Sequence, residues 1–186
     1  MKTRTFLAII VAVLIAGGCL CGQPDNFTVN QASGGLMEYT SSVHGGYSFR
    51  FNNTMVLDKQ SSYDNTLVTA LTFQDEGGKN MLFVGVLPGF ISESGGWLQQ
   101  ACDKEKLANE LKSQKDLNVT EIKSIIDKNY TNVQSCIADV TAVEQGVEVP
   151  LTVSFAECKG KIPIYAVTGG DNAATDMELF LGTFDC

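Results

Sequence analysis

The sequence predicts an α+β domain in which helices cover an antiparallel sheet, an α/β/α sandwich. Short strand patterns separated by turn residues run through most of the chain, which favours antiparallel pairing. Two segments with helical periodicity, one starting near residue 103 and one over residues 173–181, supply the covering layers. The predicted order is four strands, a helix, three strands and a final helix.

The first four strands are predicted from alternation and from turn signals. Tyr47, Phe49 and Phe51 alternate with polar residues, and residues 54–57 form a second, shorter strand candidate. Two longer apolar runs, residues 67–73 and 81–87, flank a loop that contains a Gly pair. Because glycine adopts positive φ without steric cost, these two runs predict a β-hairpin with a longer loop.

The middle of the chain changes period. Leu107 and Leu111 recur at helical spacing, and Asp103 stands at the acidic start of this segment, where a helix dipole favours negative charge. The apolar residues of 119–126 also fit helical spacing, although a strand over residues 118–124 fits them as well. The sequence leaves these two alternatives open.

The last third predicts three strands and a helix. The strands occupy residues 133–143, 147–155 and 162–167, with short turns between them, and Pro150 indicates an edge or the start of a strand. Asp171 or Asn172 is a suitable cap for a helix over residues 173–181.

The N-terminal segment Met1–Cys19 resembles the export signal of prokaryotic lipoproteins. Lys2 and Arg4 open it, residues 6–16 are all apolar, and small residues lead to Cys19. The resemblance implies removal of residues 1–18 and lipid attachment to Cys19. An ordinary signal peptide with an incidental Cys19, and an uncleaved signal anchor, are the alternatives.

These features divide the chain into a signal peptide (residues 1–18), a lipidated Cys19 with a flexible tether (residues 19–45) and one α+β domain (residues 46–186). The segment 1–18 contains Lys2 and Arg4 but no acid, so its removal changes the formal charge from −8 to −10. Such an acidic chain argues against nucleic acid as a partner. We therefore expect a lipid-anchored protein on the extracytoplasmic side of the cell membrane.

The remaining cysteines and four sequons agree with export. Four cysteines of the domain predict two disulfides, and of the three connectivities we favour Cys102–Cys136 and Cys158–Cys186. N-x-S/T sequons mark candidate glycosylation sites, which matter only in a glycosylating pathway. They are Asn26, Asn52, Asn118 and Asn129.

The predicted domain also resembles the PsbP-like superfold of photosystem extrinsic proteins and related prokaryotic lipoproteins. The resemblance lies in the aromatic strand at Tyr47, the central hairpin followed by a helix, and the ending that runs from Ile164 to Phe184. Members of this superfold are mostly non-catalytic binding or assembly proteins. The resemblance implies a non-catalytic binding or assembly domain, and the export signal, acidity and cysteines lead us to expect an envelope protein or a small ligand as its partner.

No catalytic constellation or cofactor motif is present in the sequence, so we predict neither an enzyme nor a bound cofactor or metal. A hydrolase using His44 with a Ser and an Asp is the least favoured alternative. A second alternative is a lipoprotein that binds a small molecule or Ca²⁺ through the acids Asp75, Asp171 and Asp176. Phe90 and Trp97 are candidates for an exposed binding patch, although packing in the core is the favoured interpretation of Trp97.

Overall fold

The protein is β-rich. The computed structural model describes residues 27–65, 68–87, 96–113, 118–144, 146–159 and 161–186. In this part of the chain, strands account for 55% of the structure and helices for 22%, with three α-helices. None of the described helices is both long and apolar enough to cross a membrane.

A small antiparallel sheet forms the N-terminal part of the described chain. Its strands lie side by side in the order β1-β2-β3. They are β1 (Phe27–Gln31), β2 (Leu36–Ser41) and β3 (Tyr47–Asn52). Two of these strands lie within the range 19–45 that we predicted to be a flexible tether, so the ordered structure reaches at least as far back as Phe27. The reason is packing: Tyr39 is fully buried, and the ring of Phe27 stacks on it with 5.2 Å between centroids.

A larger, eight-stranded antiparallel sheet forms the centre of the protein. Its order is β4-β6-β7-β11-β10-β9-β8, with β5 paired to β6. The strands are β4 (Met55–Leu57), β5 (Tyr63–Asp64), β6 (Thr69–Asp75), β7 (Met81–Val86), β8 (Val119–Asn129), β9 (Val133–Glu144), β10 (Val147–Cys158) and β11 (Ile162–Gly169). The hairpin of β6 and β7 and the three strands β9, β10 and β11 confirm the sequence prediction. Residues 119–126, for which the sequence allowed either a helix or a strand, belong to strand β8.

Different layers cover the two faces of the large sheet. Helices α1 (Trp97–Ala101) and α2 (Lys104–Ser113) pack on one face, where Leu107 and Leu111 are buried. The other face carries the small sheet together with helix α3 (Ala173–Thr183), which contacts β3, β10 and β11. The rings of Phe49 and Phe180 meet edge to face at 5.0 Å in this second core.

The predicted α/β/α sandwich was wrong. Strands predominate, and a three-stranded sheet provides much of the cover that we had assigned to helices. Two interpretations of the sequence produced the error. The segment before residue 46 was considered a tether, and residues 119–126 were left open to a helix, so the strand content was underestimated.

Both disulfides have the predicted pairing. Cys102–Cys136 joins the end of α1 to β9 with a Cα–Cα distance of 5.7 Å, and Cys158–Cys186 joins β10 to the last residue of the chain at 6.4 Å. The neighbouring Asp185 exchanges two backbone hydrogen bonds with Ser48 of β3. The C-terminus is thus held against both sheets.

Candidate functional site

The most concentrated polar chemistry in the interior surrounds Asp64, where four hydroxyl groups donate hydrogen bonds to one buried carboxylate. Tyr39 and Ser41 donate to Oδ2, the former at 2.9 Å. Tyr47 donates to Oδ1 at 3.1 Å, and Thr69 donates to the same oxygen. We call these five residues the Asp64 cluster. Asp64 is only 3% exposed, so hydroxyl donors replace the water that a surface carboxylate would bind.

Strand register brings the Asp64 cluster together. Tyr39 and Ser41 are two residues apart on β2 and therefore share a face, and Ser41 lies opposite Tyr47 of β3. Asp64 of β5 lies opposite Thr69 of β6. The small sheet supplies three of the donors, while the carboxylate and the fourth donor belong to the large sheet. The cluster is a polar junction between the two sheets.

The two phenols of the cluster remain protonated donors. Burial raises the pKa of Tyr39 and of Tyr47, and the negative charge of Asp64 raises both further. A phenol with a raised pKa does not ionise in the physiological range, so it neither acts as a base nor stops donating to Asp64. The two phenols therefore help to hold the small sheet against the large one.

His44 lies beside the cluster but does not complete a catalytic triad. Its Nε2 atom is buried and has no hydrogen-bond partner in the part of the chain that the structure describes. Burial lowers the His44 pKa, and the charge of Asp64 opposes this only partly. The Ser41 hydroxyl donates to Asp64 rather than to His44. A hydrolytic triad requires a nucleophile that donates to the base, and this arrangement does not provide that order.

The acids proposed for Ca²⁺ do not converge. Asp75 accepts hydrogen bonds from the Lys79 backbone N–H at 2.7 Å and from Asn80 Nδ2 at 2.8 Å, and these bonds lower its pKa. Asp171 is exposed before α3, whereas Asp176 is buried in the first turn of that helix. Within the described ranges, no group of three or more His, Cys, Asp or Glu side chains is arranged to hold a metal ion.

Trp97 does not form part of an exposed binding patch. Trp97 is 3% exposed and packs in the core between α1 and the large sheet, with its ring 6.5 Å from that of Phe155. Phe90, the other predicted patch residue, lies outside the described residues, as do Cys19 and Asn26. The burial of Trp97 agrees with the core position that the sequence analysis favoured for it.

The three described sequons differ in how accessible their side chains are. Asn52 Oδ1 accepts hydrogen bonds from the backbone N–H and the hydroxyl of Thr54, which occupies the hydroxyl position of the same sequon. Asn118 donates its Nδ2 to the Val143 carbonyl at 2.9 Å. Asn129 is exposed and lines a groove of about 350 Å³ beside the Cys102–Cys136 disulfide. Asn129 is therefore the best placed of the three for modification.

Sequence reasoning missed most of the Asp64 cluster. We had identified Tyr47 as a strand residue, but Asp64 lies in a polar stretch that resembled an ordinary loop. A signal was present in the alternation of Tyr39 and Ser41, which places a phenol and a hydroxyl on one face of a strand.

Comparison with known proteins does not assign this chain to a family. No family model matches it, and no curated protein does. Among solved structures, a protein of unknown function, PA94 from Pseudomonas aeruginosa, aligns over 82% of this chain and 89% of its own, with 10% identity and a TM-score of 0.37. A likeness at that level carries no functional argument.

Proposed function

We propose that this chain is an exported lipoprotein, held at the outer face of the cell membrane by lipid on Cys19, whose domain acts by binding another envelope component. The proposal joins the N-terminal segment Met1–Cys19 to the disulfide-bonded domain that follows it. Removal of residues 1–18 and acylation of Cys19 would place the folded domain outside the cytoplasm.

The observation that carries the proposal is the pair of closed disulfides. Cys102–Cys136 and Cys158–Cys186 both have Cα–Cα distances in the range that disulfides use. Disulfides form and persist mainly in oxidising compartments outside the cytoplasm. All four domain cysteines are used in this way, which supports export independently of the N-terminal segment.

The hydrogen bonding and protonation of the Asp64 cluster favour binding over catalysis as the function of the domain. The Asp64 carboxylate is occupied by four hydroxyl donors, and the cluster's phenols have raised pKa values. Hydroxyl groups that donate to Asp64 hold the two sheets together, and none of the four is available as a nucleophile. The surface is then the part of the domain that acts.

The anchor is tested by detergent phase partitioning and intact mass. We expect the full chain, expressed in a bacterial host, to enter the detergent phase, to lack residues 1–18 and to carry added lipid mass. Cys19→Ser should abolish both the cleavage before residue 19 and the added mass, while Cys21→Ser, the matched control, should leave both unchanged. Wild-type protein that retains residues 1–18, or that has no lipid mass, would contradict the proposal.

The binding part is tested by sedimentation of the full chain after mild solubilisation from membranes. We expect a complex larger than one copy of the chain. A monomer at every concentration examined would contradict it.

A further inference from the structure

Strand β8 is a long edge strand. It contains 11 residues and stands at the end of the large sheet, where within the described part of the chain it pairs only with β9. An unpaired edge presents backbone N–H and C=O groups that can pair with another strand. Natural proteins usually protect such edges with bulges and charges.

The two halves of β8 are protected differently. The register with β9 shifts between Val119 and Glu121 and again between Ile122 and Ser124, so the first half is bulged. From Ser124 to Asn129 the pairing is regular. This regular half also carries Ile126, whose side chain is 45% exposed. The bulges are therefore confined to the first half, while the second half has the charges of Asp127 and Lys128 but no bulge.

The directions of the backbone groups follow from two hydrogen bonds. The Tyr130 N–H donates to the Val133 carbonyl at 2.7 Å, and the Lys128 carbonyl accepts from the Ser135 hydroxyl at 3.0 Å. Even-numbered residues at this end of β8 thus point their backbone groups towards β9. Because these directions alternate in an antiparallel strand, Ile125, Asp127 and Asn129 point theirs to the free edge.

We propose that this half of β8 pairs antiparallel with β8 of a second copy of the chain, about a two-fold axis at Ile126. In this register the outward backbone groups of Ile125 bond with those of Asp127 in the other copy, and the reverse pair repeats the exchange. The two Ile126 side chains then lie directly opposite each other and cover their exposed surface. The large sheets of the two copies become continuous.

Charge and register select this axis over its neighbours. An axis at Asp127 would place two carboxylates opposite each other, which destabilises a sheet. An axis at Ile125 would bring Asp127 opposite the bulged Lys123, outside the regular segment. With the axis at Ile126, Lys128 lies opposite Ser124 and no like charges face each other. The edge is thus complementary to itself, as an interface with two-fold symmetry must be.

This inference rests on the binding part of the proposed function, because it names the partner as a second copy, but it does not rest on the lipid anchor. The test uses the purified full chain in detergent, with Cys21→Ser as the background. Ile126→Cys should cross-link to itself under mild oxidation, because Cα atoms across a pair without hydrogen bonds lie about 4.5 Å apart, within disulfide range.

Val147→Cys is the matched control, since Val147 is more exposed than Ile126, at 64%, but is not on β8. We expect the Ile126→Cys dimer to exceed the Val147→Cys dimer at least fivefold. Ile126→Lys, which would place two ammonium groups opposite each other, should shift the wild-type dimer to a folded monomer.

Equal cross-linking of the two cysteine variants would overturn the inference. So would a complex that persists unchanged in Ile126→Lys, although the binding proposal would then survive. A purified wild-type chain that is monomeric throughout would also overturn the inference, while the binding proposal is tested separately by the complex solubilised from membranes.

Discussion

The phenol of Tyr39 donates a 2.9 Å hydrogen bond to the carboxylate of Asp64 and so connects β2 of the small sheet to β5 of the large one. Twenty-five residues separate the two in sequence, and both are buried. The strands nearest the proposed membrane tether are therefore held to the rest of the domain by polar as well as aromatic contacts.

Loss of the Asp64 carboxylate should destabilise the fold strongly. Asp64→Ala leaves four hydroxyl groups without their acceptor, and because a hydrogen bond to a charged group contributes about 1.5–3 kcal/mol, we expect the free energy of unfolding to fall by at least about 3 kcal/mol. Chemical denaturation measures this. Asp58→Ala is the control, because Asp58 accepts its hydrogen bonds at an exposed turn. Similar losses in the two variants would contradict the role of the cluster.

Asp176 should make the protein less stable as the pH rises. Burial raises its pKa in the folded state above the value of about 3.9 expected for the unfolded chain. The folded state therefore binds the proton more tightly, and stability falls from about pH 4 upwards, until the folded pKa is passed. Asp176→Asn should remove this slope and increase the free energy of unfolding at pH 7. A variant less stable than wild type at pH 7 would show that the carboxylate has a partner.

His44 should have the opposite effect at mildly acidic pH. Its pKa in the folded state lies below the unfolded value of about 6.5, because burial disfavours the imidazolium. The unfolded chain then binds more protons, so stability falls as the pH is lowered through about 6.5. His44→Asn should reduce that fall, and Asn tolerates the positive φ of 55° found there. Difference curves between variant and wild type, measured from pH 7 to 5, test the sign.

Each disulfide should contribute similarly to stability. The sequence separations are 34 residues for Cys102–Cys136 and 28 for Cys158–Cys186. In the loop-entropy model these correspond to about 3.8 and about 3.6 kcal/mol at 25 °C. We expect each paired Cys→Ser double variant to lose about that amount in thermal unfolding. Reductant should lower the melting temperature of the wild type, which has two bonds to lose, further than that of either double variant, which has one; an equal fall in all three would contradict the role of both bonds.

Gly170 should tolerate no side chain. Its φ is 101°, and a Cβ atom there would lie 2.1 Å from the Lys79 carbonyl oxygen. Gly146 is the matched control, with a φ of 85° and no atom within 4 Å of the added Cβ. Gly146→Ala should cost about 1–2 kcal/mol from backbone strain alone. Gly170→Ala should cost a further 1–3 kcal/mol or more, as overpacking does, and equal losses would show that the hairpin loop moves aside.

Some elements were predictable because their signals are local. The hairpin of β6 and β7 was evident from two apolar runs around a Gly pair, and α3 from helical spacing, although the N-cap residue Asn172 makes no side-chain cap hydrogen bond. β1 was missed because its apolar residues, Phe27 and Val29, are few and lie among polar ones. Their burial depends on Tyr39 and Phe49, which no local pattern connects to them.

The candidate site was less predictable than the fold. Cys102, Cys136, Cys158 and Cys186 were paired correctly, but the Asp64 cluster combines residues from β2, β3, β5 and β6. Hydroxyl residues are common on strands, and only the register decides which of them meet a carboxylate. For Trp97 the sequence allowed both the core and an exposed patch. The packing of α1 against β10 decided for the core.

By itself, the sequence determined the positions of the strong local patterns, the acidic charge and the cysteine content, because these depend on residue type and near neighbours. Tertiary structure alone decided that a second sheet covers one face, that Asp64 is enclosed by hydroxyl groups and that β8 is an edge. Those features depend on which strands pair across long separations, and the free energy of that pairing comes from burial that no short segment achieves alone.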